Sequence, residues 1–345
     1  MADQSNSSSS FAPPARVSED AYYPTLGSYD RMYAQSMENP EAFWGSQAEA
    51  QIDWFHKFTQ VSDCDFEHGM VAWFLGGKLN VCHNCVDRHL ATRGDKVAIL
   101  WEGDEPGNVR RITYRELHRE VCRLANVLRH NGIRKGDRVA IYMPMIPEAA
   151  FAMLACARIG AVHNVVFAGF SAEALRDRIQ DARCRAVITA DEGMRGRKVI
   201  PLKRPVDEAV MACPTVKHVF MVRHTGAKVP FYEPRDIDLG AAMQNERPYC
   251  PIEHMGSEDT LFLLYTSGST GKPKGISHTS AGYLLYTMLT HRYVFDYRED
   301  DVFACVADIG WITGHSYVVY GPLANGATTM MFESIPTNEA PLPIN

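Results

Sequence analysis

The chain has 345 residues, 46% of them hydrophobic and 22% charged, which suits one large α/β domain or about two ordinary ones and excludes a disordered chain. No uninterrupted apolar run approaches the roughly 20 residues that a membrane-spanning helix needs. A formal net charge of -6 argues against binding nucleic acid or an anionic membrane through overall basicity, so any phosphate binding must be local.

The first stretch, 1–20, carries Ser7 to Ser10 in a row followed by Pro13 and Pro14, a polar tract that cannot bury a core and is expected to be disordered. It lacks an apolar targeting segment, contains Asp3 and has one basic residue, Arg16, so a cytoplasmic protein is expected. Residues 21–88 form an aromatic-rich segment, with Phe43, Trp44, Trp54, Phe55, Phe58, Trp73 and Phe74, expected to be an irregular helical cap. Nine cysteines are scattered from Cys64 to Cys305 without the spacing of a disulfide framework. Cys82 and Cys85 have CxxC spacing but no second pair, so they are expected to be buried structural thiols, and no metal site is assigned.

From residue 89 the pattern changes to short β-rich runs alternating with helical stretches, the signature of an α/β fold with a largely parallel sheet and flanking helices. Strands are expected at 97–100, 138–143, 161–167, 185–189, 218–222 and 261–265. Thr113 with Glu116 three residues later is a capping box opening a helix that runs to Asn131-Gly132. Ser171 opens another, ending before Cys184. Residues 225–257, rich in proline and charge, read as a polar linker.

The strand at 261–265 feeds the string Tyr265-Thr266-Ser267-Gly268-Ser269-Thr270-Gly271-Lys272-Pro273-Lys274-Gly275. Its glycines let backbone amides approach an anion, its hydroxyls donate hydrogen bonds, and Lys272 and Lys274 supply charge-assisted contacts. It is not a Walker A loop, because Pro273 follows Lys272 where a Mg2+-binding Ser or Thr would stand. No G-x-S-x-G surrounds Ser267 or Ser269, so serine hydrolysis has no support. By composition alone a surface loop would account for the string.

The whole string resembles the signature of the adenylate-forming superfamily, which unites acyl-CoA synthetases, luciferases and the adenylation domains of peptide synthetases. The resemblance implies that Thr266 to Lys272 hold the ATP phosphates and that Lys272 and Lys274 carry the catalytic charge. Trp73-Phe-Leu-Gly-Gly-Lys-Leu-Asn80 and Asn84-Cys85-Val-Asp87-Arg-His89 narrow it to the short-chain branch of acetyl-CoA and propionyl-CoA synthetases. Within that branch, Gly169 and the run Arg195-Gly196-Arg197-Lys198 resemble the segments that hold CoA, with Thr313 and Thr337 as further CoA contacts. Three cations within four residues make local sense in an acidic chain. Trp311, Ile312 and Thr313 resemble the acyl pocket, and Ile312 stands where acetate enzymes commonly carry valine, leaving acetate or propionate open.

The resemblance implies acetate, ATP and CoA as small-molecule substrates with Mg2+, no nucleic-acid or membrane partner, and leaves a homo-oligomer open. It covers residues 29–333, and residues 89–345 are expected to be an incomplete AMP-binding domain with the family's C-terminal catalytic domain absent. Two readings stay open: an acetate-CoA ligase whose turnover needs a longer polypeptide, or a non-catalytic module that binds phosphate ligands or pairs with a full-length subunit. His278 and His315 are assigned no base role, since a carboxylate is already ionised at neutral pH.

Overall fold

A computed structural model describes residues 13–266 and 273–335. Ser267, Gly268, Ser269, Thr270, Gly271, Lys272 and Thr337 lie outside the described residues. The fold is mixed α/β with helices against largely parallel sheets, as the alternating pattern predicts.

The main sheet has seven strands in the order Asp236–Asp238, His218–Val222, Ala186–Ala190, Arg138–Tyr142, Val162–Val165, Thr260–Thr266 and Lys274–Thr279. All neighbours are parallel except the last pair, a hairpin. Val162–Val165 and Ala186–Ala190 are buried throughout, because parallel strands covered by helices on both faces read as continuous apolar runs rather than alternating ones. A smaller sheet follows the order Val302–Ala304, Thr328–Phe332, Val97–Glu102 and Val109–Thr113. The almost wholly buried helix Pro147–Ile159 ends at Gly160, whose φ of 71° only glycine adopts freely.

The caps named from sequence are formed. Thr113 Oγ1 accepts from the Glu116 amide at 3.2 Å and the Glu116 carboxylate accepts from the Thr113 amide at 2.9 Å, opening the helix Tyr114–His130. Ser171 Oγ accepts from the Ala174 amide at 3.2 Å ahead of the helix Ala172–Ala182.

One expectation needs correction. The stretch 225–257 is no simple linker: it contributes the edge strand Asp236–Asp238 and the helix Leu239–Gln244. Asp236 is buried there because Lys203 lies 2.7 Å and Arg235 2.6 Å from its carboxylate. Near the tail, Ala15–Ser18 forms a helical turn, Arg298 donates to the Asp20 carbonyl, and Tyr22 and Tyr23 pack edge-on against Tyr293.

The aromatic segment forms the helices Leu26–Glu38 and Pro40–Gln51 and the hairpin Gln60–Asp65 with Met70–Leu75. It leads into the short helix Val81–Cys85, where Cys82 and Cys85 are both fully buried. Cys82 Sγ lies 3.7 Å from the Arg158 guanidinium and Cys85 Sγ 3.8 Å from the Tyr320 carbonyl, and burial pushes the Cys85 thiol up to about 12. These are packing thiols.

Just beyond them Asp87 accepts two hydrogen bonds from Arg158, at 2.9 and 3.1 Å, and faces His118 Nε2 at 3.4 Å. The hydrogen bond to Asp87 raises His118 to about 9. A histidine raised on folding adds stability that is complete below its unfolded pKa of about 6.5 and fades as pH rises through the folded value. The stability gap between the wild type and His118→Asn, measured by urea unfolding, should therefore shrink from pH 6.5 to pH 9. A gap constant over that range would refute a charged His118.

The last helical segment changes pitch. Ile312–Gly314 is α-helical, His315–Tyr320 is a π-helix, and Gly321–Ala324 is α-helical again. Within the wide turns the Val318 carbonyl accepts from Thr329 Oγ1 at 2.9 Å.

Candidate active site

The candidate site lies at the C-terminal ends of the parallel strands. The chain steps from Arg138–Tyr142 to Val162–Val165 on one side and to Ala186–Ala190 on the other, so the order reverses there and the following loops open a crevice, the usual ligand position in such sheets.

The strand Val162–Val165 leads to Phe167, Gly169 and Phe170. A side chain at Gly169 has no room, since an ideal Cβ would lie 2.6 Å from Phe167 Cε1. Tyr142 donates from its hydroxyl to the Phe170 carbonyl at 2.7 Å, fixing this loop to the central strand.

The strand Ala186–Ala190 leads to Asp191 and then to the hairpin Glu192–Arg195 with Lys198–Pro201. Gly196 and Arg197 turn it with φ of 58° and 64°, so the run of basic residues lies at a hairpin tip. Arg197 and Lys198 are exposed. Arg195 is engaged: its Nη1 lies 3.0 Å from Asp308 Oδ2 and its guanidinium 5.0 Å from the centre of the Phe167 ring.

Asp191 went unassigned in the sequence, yet it organises this edge. Its buried carboxylate accepts from five backbone amides, those of Glu192 (2.8 Å), His224 (2.8 Å), Thr225 (3.2 Å), Gly226 (2.9 Å) and Ala227 (3.1 Å). An aspartate directly after a strand and two residues before a glycine was the available signal. Glu333, also buried, accepts from His224 Nε2 at 2.6 Å. Burial alone would lower His224, but the Glu333 hydrogen bond and charge leave it raised.

Thr266 and Lys274 face each other across the hairpin ladder at the two ends of the stretch 267–273. Lys274 is exposed. Tyr265 lies across Gly275, where an ideal Cβ would come 2.9 Å from its ring, and donates to Asp181 at 2.5 Å.

Asp308 and Trp311 enter from the small sheet. Gly310 donates to Asp308 Oδ1 at 2.8 Å, and an ideal Cβ at Gly310 would lie 2.8 Å from Phe167 Cα. Trp311 is 52% and Ile312 41% exposed, and Trp311 lies 6.0 Å from Phe167 and 6.4 Å from Phe170 between ring centres. Thr313 is exposed beside them. Burial pushes the Asp308 carboxyl above the usual carboxylate range, against the opposing pull of the Gly310 amide and Arg195. Thus Gly169, Arg195 and Trp311 gather around Phe167, although they come from three loops.

Ile312 also borders a pocket of about 570 Å³ walled by Trp44, Trp73, Tyr283, Tyr286 and His278. His315 is fully buried against Phe262 and His163, and burial lowers it to about 4, so its ring is neutral. Among the described residues no group of three or more His, Cys, Asp or Glu is placed to hold a metal ion, and no step is assigned to one.

A family model for AMP-binding enzymes matches residues 86–343. The chain belongs to the AMP-binding enzyme family. A second model, for the acetyl-coenzyme A synthetase N-terminus, matches residues 29–85. The chain is 57% identical over 324 residues to an acetyl-coenzyme A synthetase of Alkalilimnicola ehrlichii, covering 94% of this chain and 50% of that protein. It is 61% identical over 308 residues to acetyl-coenzyme A synthetase 2 of Pseudomonas aeruginosa, covering 89% and 48%. With an acetyl-coenzyme A synthetase of Dictyostelium discoideum it shares 54% over 330 residues, covering 95% and 49%. The chain spans about half the length of these relatives. No helix among the described residues is long and apolar enough to cross a membrane.

Proposed function

We propose that this chain belongs to an AMP-forming acetate-CoA ligase working in the cytoplasm. An acetate oxygen attacks the α-phosphorus of ATP and pyrophosphate leaves; the CoA sulfur then attacks the acetyl carbonyl and AMP leaves. No protein nucleophile is needed, and the chain's own task is positioning and charge stabilisation. The observation that carries this reading is the similarity to acetyl-coenzyme A synthetases over about nine-tenths of the chain.

In this reading the residues divide by position. Thr266 to Lys272 and Lys274 meet the ATP phosphates, with Mg2+ arriving on the nucleotide. Gly169, Arg195 to Lys198, Thr313 and Thr337 serve CoA, and Trp311, Ile312 and Thr313 wall the acyl group. The cap is residues 21–88 and the AMP-binding domain begins at residue 89. The chain spans about half the length of those relatives, and turnover by it alone is not expected.

Acetate-dependent exchange of labelled pyrophosphate into ATP tests the adenylation step. This chain alone is expected to show none above a Lys272→Ala background, while calorimetry shows MgATP binding. Each lysine bond to a phosphate oxygen is worth ~1.5–3 kcal/mol, so Lys274→Ala should weaken that binding about 10- to 100-fold. Exchange by the wild type would mean that these residues suffice for adenylation. No loss in Lys274→Ala would remove that lysine from the site.

Ile312, standing where acetate enzymes commonly carry valine, leaves propionate as a second reading. Stronger thermal stabilisation by a propionyl-adenylate analogue than by the acetyl one would select it.

A further inference from the structure

The hairpin Glu192–Pro201 and the segment Asp308–Trp311 are 113 residues apart in the chain where Arg195 meets Asp308. Both oxygens of that half-buried carboxylate are committed. Oδ1 takes the Gly310 amide at 2.8 Å and Oδ2 takes Arg195 Nη1 at 3.0 Å. The next amide, that of Trp311, donates to the Asp308 carbonyl at 3.1 Å, so the backbone entering Trp311 is held to Asp308 from both its side chain and its main chain. Gly310 lies so close to Phe167 that a Cβ there would have no room. The same guanidinium lies over the Phe167 ring, which in turn lies against Gly169 and Trp311. Exposed neighbours Arg197 and Lys198 share none of these ties.

We infer that Arg195 is a positioning residue, whose ion pair with Asp308 ties the basic hairpin to the Trp311 wall so that one guanidinium fixes both ends of the site. The inference rests on the reading above, in which the hairpin serves CoA and Trp311 the acyl group. It differs from a role as a plain phosphate cation in the sign of one effect. If Arg195 simply offered charge to a phosphate, removing its acidic partner would free that charge and tighten CoA. If Arg195 positions, removing the partner unseats both the hairpin and Trp311, and CoA binds more weakly although a negative charge has gone.

The test uses the full chain with Asp308→Asn, Arg195→Met, the double variant and Lys198→Ala, each checked for native far-UV circular dichroism. Trp311 emission is isolated by subtracting Trp311→Phe, and CoA affinity is measured by calorimetry. Asp308→Asn and Arg195→Met should each shift Trp311 emission in the same way, and the double variant should add little, as expected of two groups acting through one bond. Asp308→Asn should weaken CoA by about 3- to 10-fold. Lys198→Ala should weaken CoA without moving Trp311 emission. Tighter CoA binding in Asp308→Asn, or unchanged Trp311 emission, would overturn the inference. Absence of CoA binding by the wild type would instead count against the functional reading, and the emission of the four variants would still decide whether the pair positions Trp311. If any variant lost its native circular dichroism, Arg195→Lys, which keeps the charge, replaces it: retained wild-type emission there supports the pair, and a shift as large as that in Arg195→Met overturns it.

Discussion

Asp191→Ala should lose at least about 3 kcal/mol of folding stability, read as a lowered urea midpoint with an unchanged slope. The side chain is buried and its two oxygens serve five amides, so alanine strands several donors away from water at once, each hydrogen bond to a charged acceptor being worth ~1.5–3 kcal/mol. Asp191→Asn should recover only part of the loss. Oδ1 faces the amides of Glu192, His224 and Thr225, and Oδ2 those of Gly226 and Ala227, so whichever way the amide turns, its NH2 group points at donors. Because the basic hairpin starts at the next residue, the alanine variant should also bind CoA more weakly at temperatures where it remains folded. A urea midpoint within the equivalent of about 1 kcal/mol of the wild type would show that the amides find other partners.

Arg158→Met is expected to cost about 3–5 kcal/mol, because it leaves Asp87 charged, poorly solvated and without its main partner. Arg158 is 1% exposed, and it also donates from Nε to the Cys250 carbonyl at 2.8 Å and from Nη1 to Cys82 Sγ at 3.7 Å, so the substitution breaks four contacts of one guanidinium. The loss should be local before it is global. Asp87 belongs to the turn that follows the Cys82 helix, so the aromatic cap should become sensitive to limited proteolysis at urea concentrations where the parallel sheet is still intact. Adding Asp87→Asn to Arg158→Met should restore part of the stability by removing the stranded charge. If the second substitution cost as much as it does alone, the two side chains would not be acting as a pair.

Local features were legible. The Thr113 and Ser171 caps each need only residues three apart, and the central strands announce themselves because both faces are buried and the apolar run is continuous. The strand Asp236–Asp238 was hidden because its burial depends on Lys203 and Arg235 neutralising acidic residues, which composition reads as surface. The return strand Lys274–Thr279 was missed for a related reason: it is a mostly exposed edge and carries little apolar pattern. At the site, the positions of Gly169, the basic run and Trp311 were available only through resemblance. That Arg195 spends its charge on Asp308 follows from tertiary packing, and no spacing within either segment encodes it.

The change of pitch between Trp311 and Ala324 also has a meaning for chain length. Each residue of a regular α-helix turns the chain by about 100°, and a π-helical stretch absorbs a residue that a regular helix of the same span would not hold. Here that residue lets Trp311 face the crevice at one end while the Tyr320 hydroxyl lies 2.6 Å from buried His163 Nε2 at the other. Deleting a single residue from His315–Tyr320 would swing one of these aromatic rings out of place, whichever residue was removed. The segment therefore tolerates exchange of side chains far better than a change in their number, and a relative with one residue more or fewer here would have to place these two rings differently.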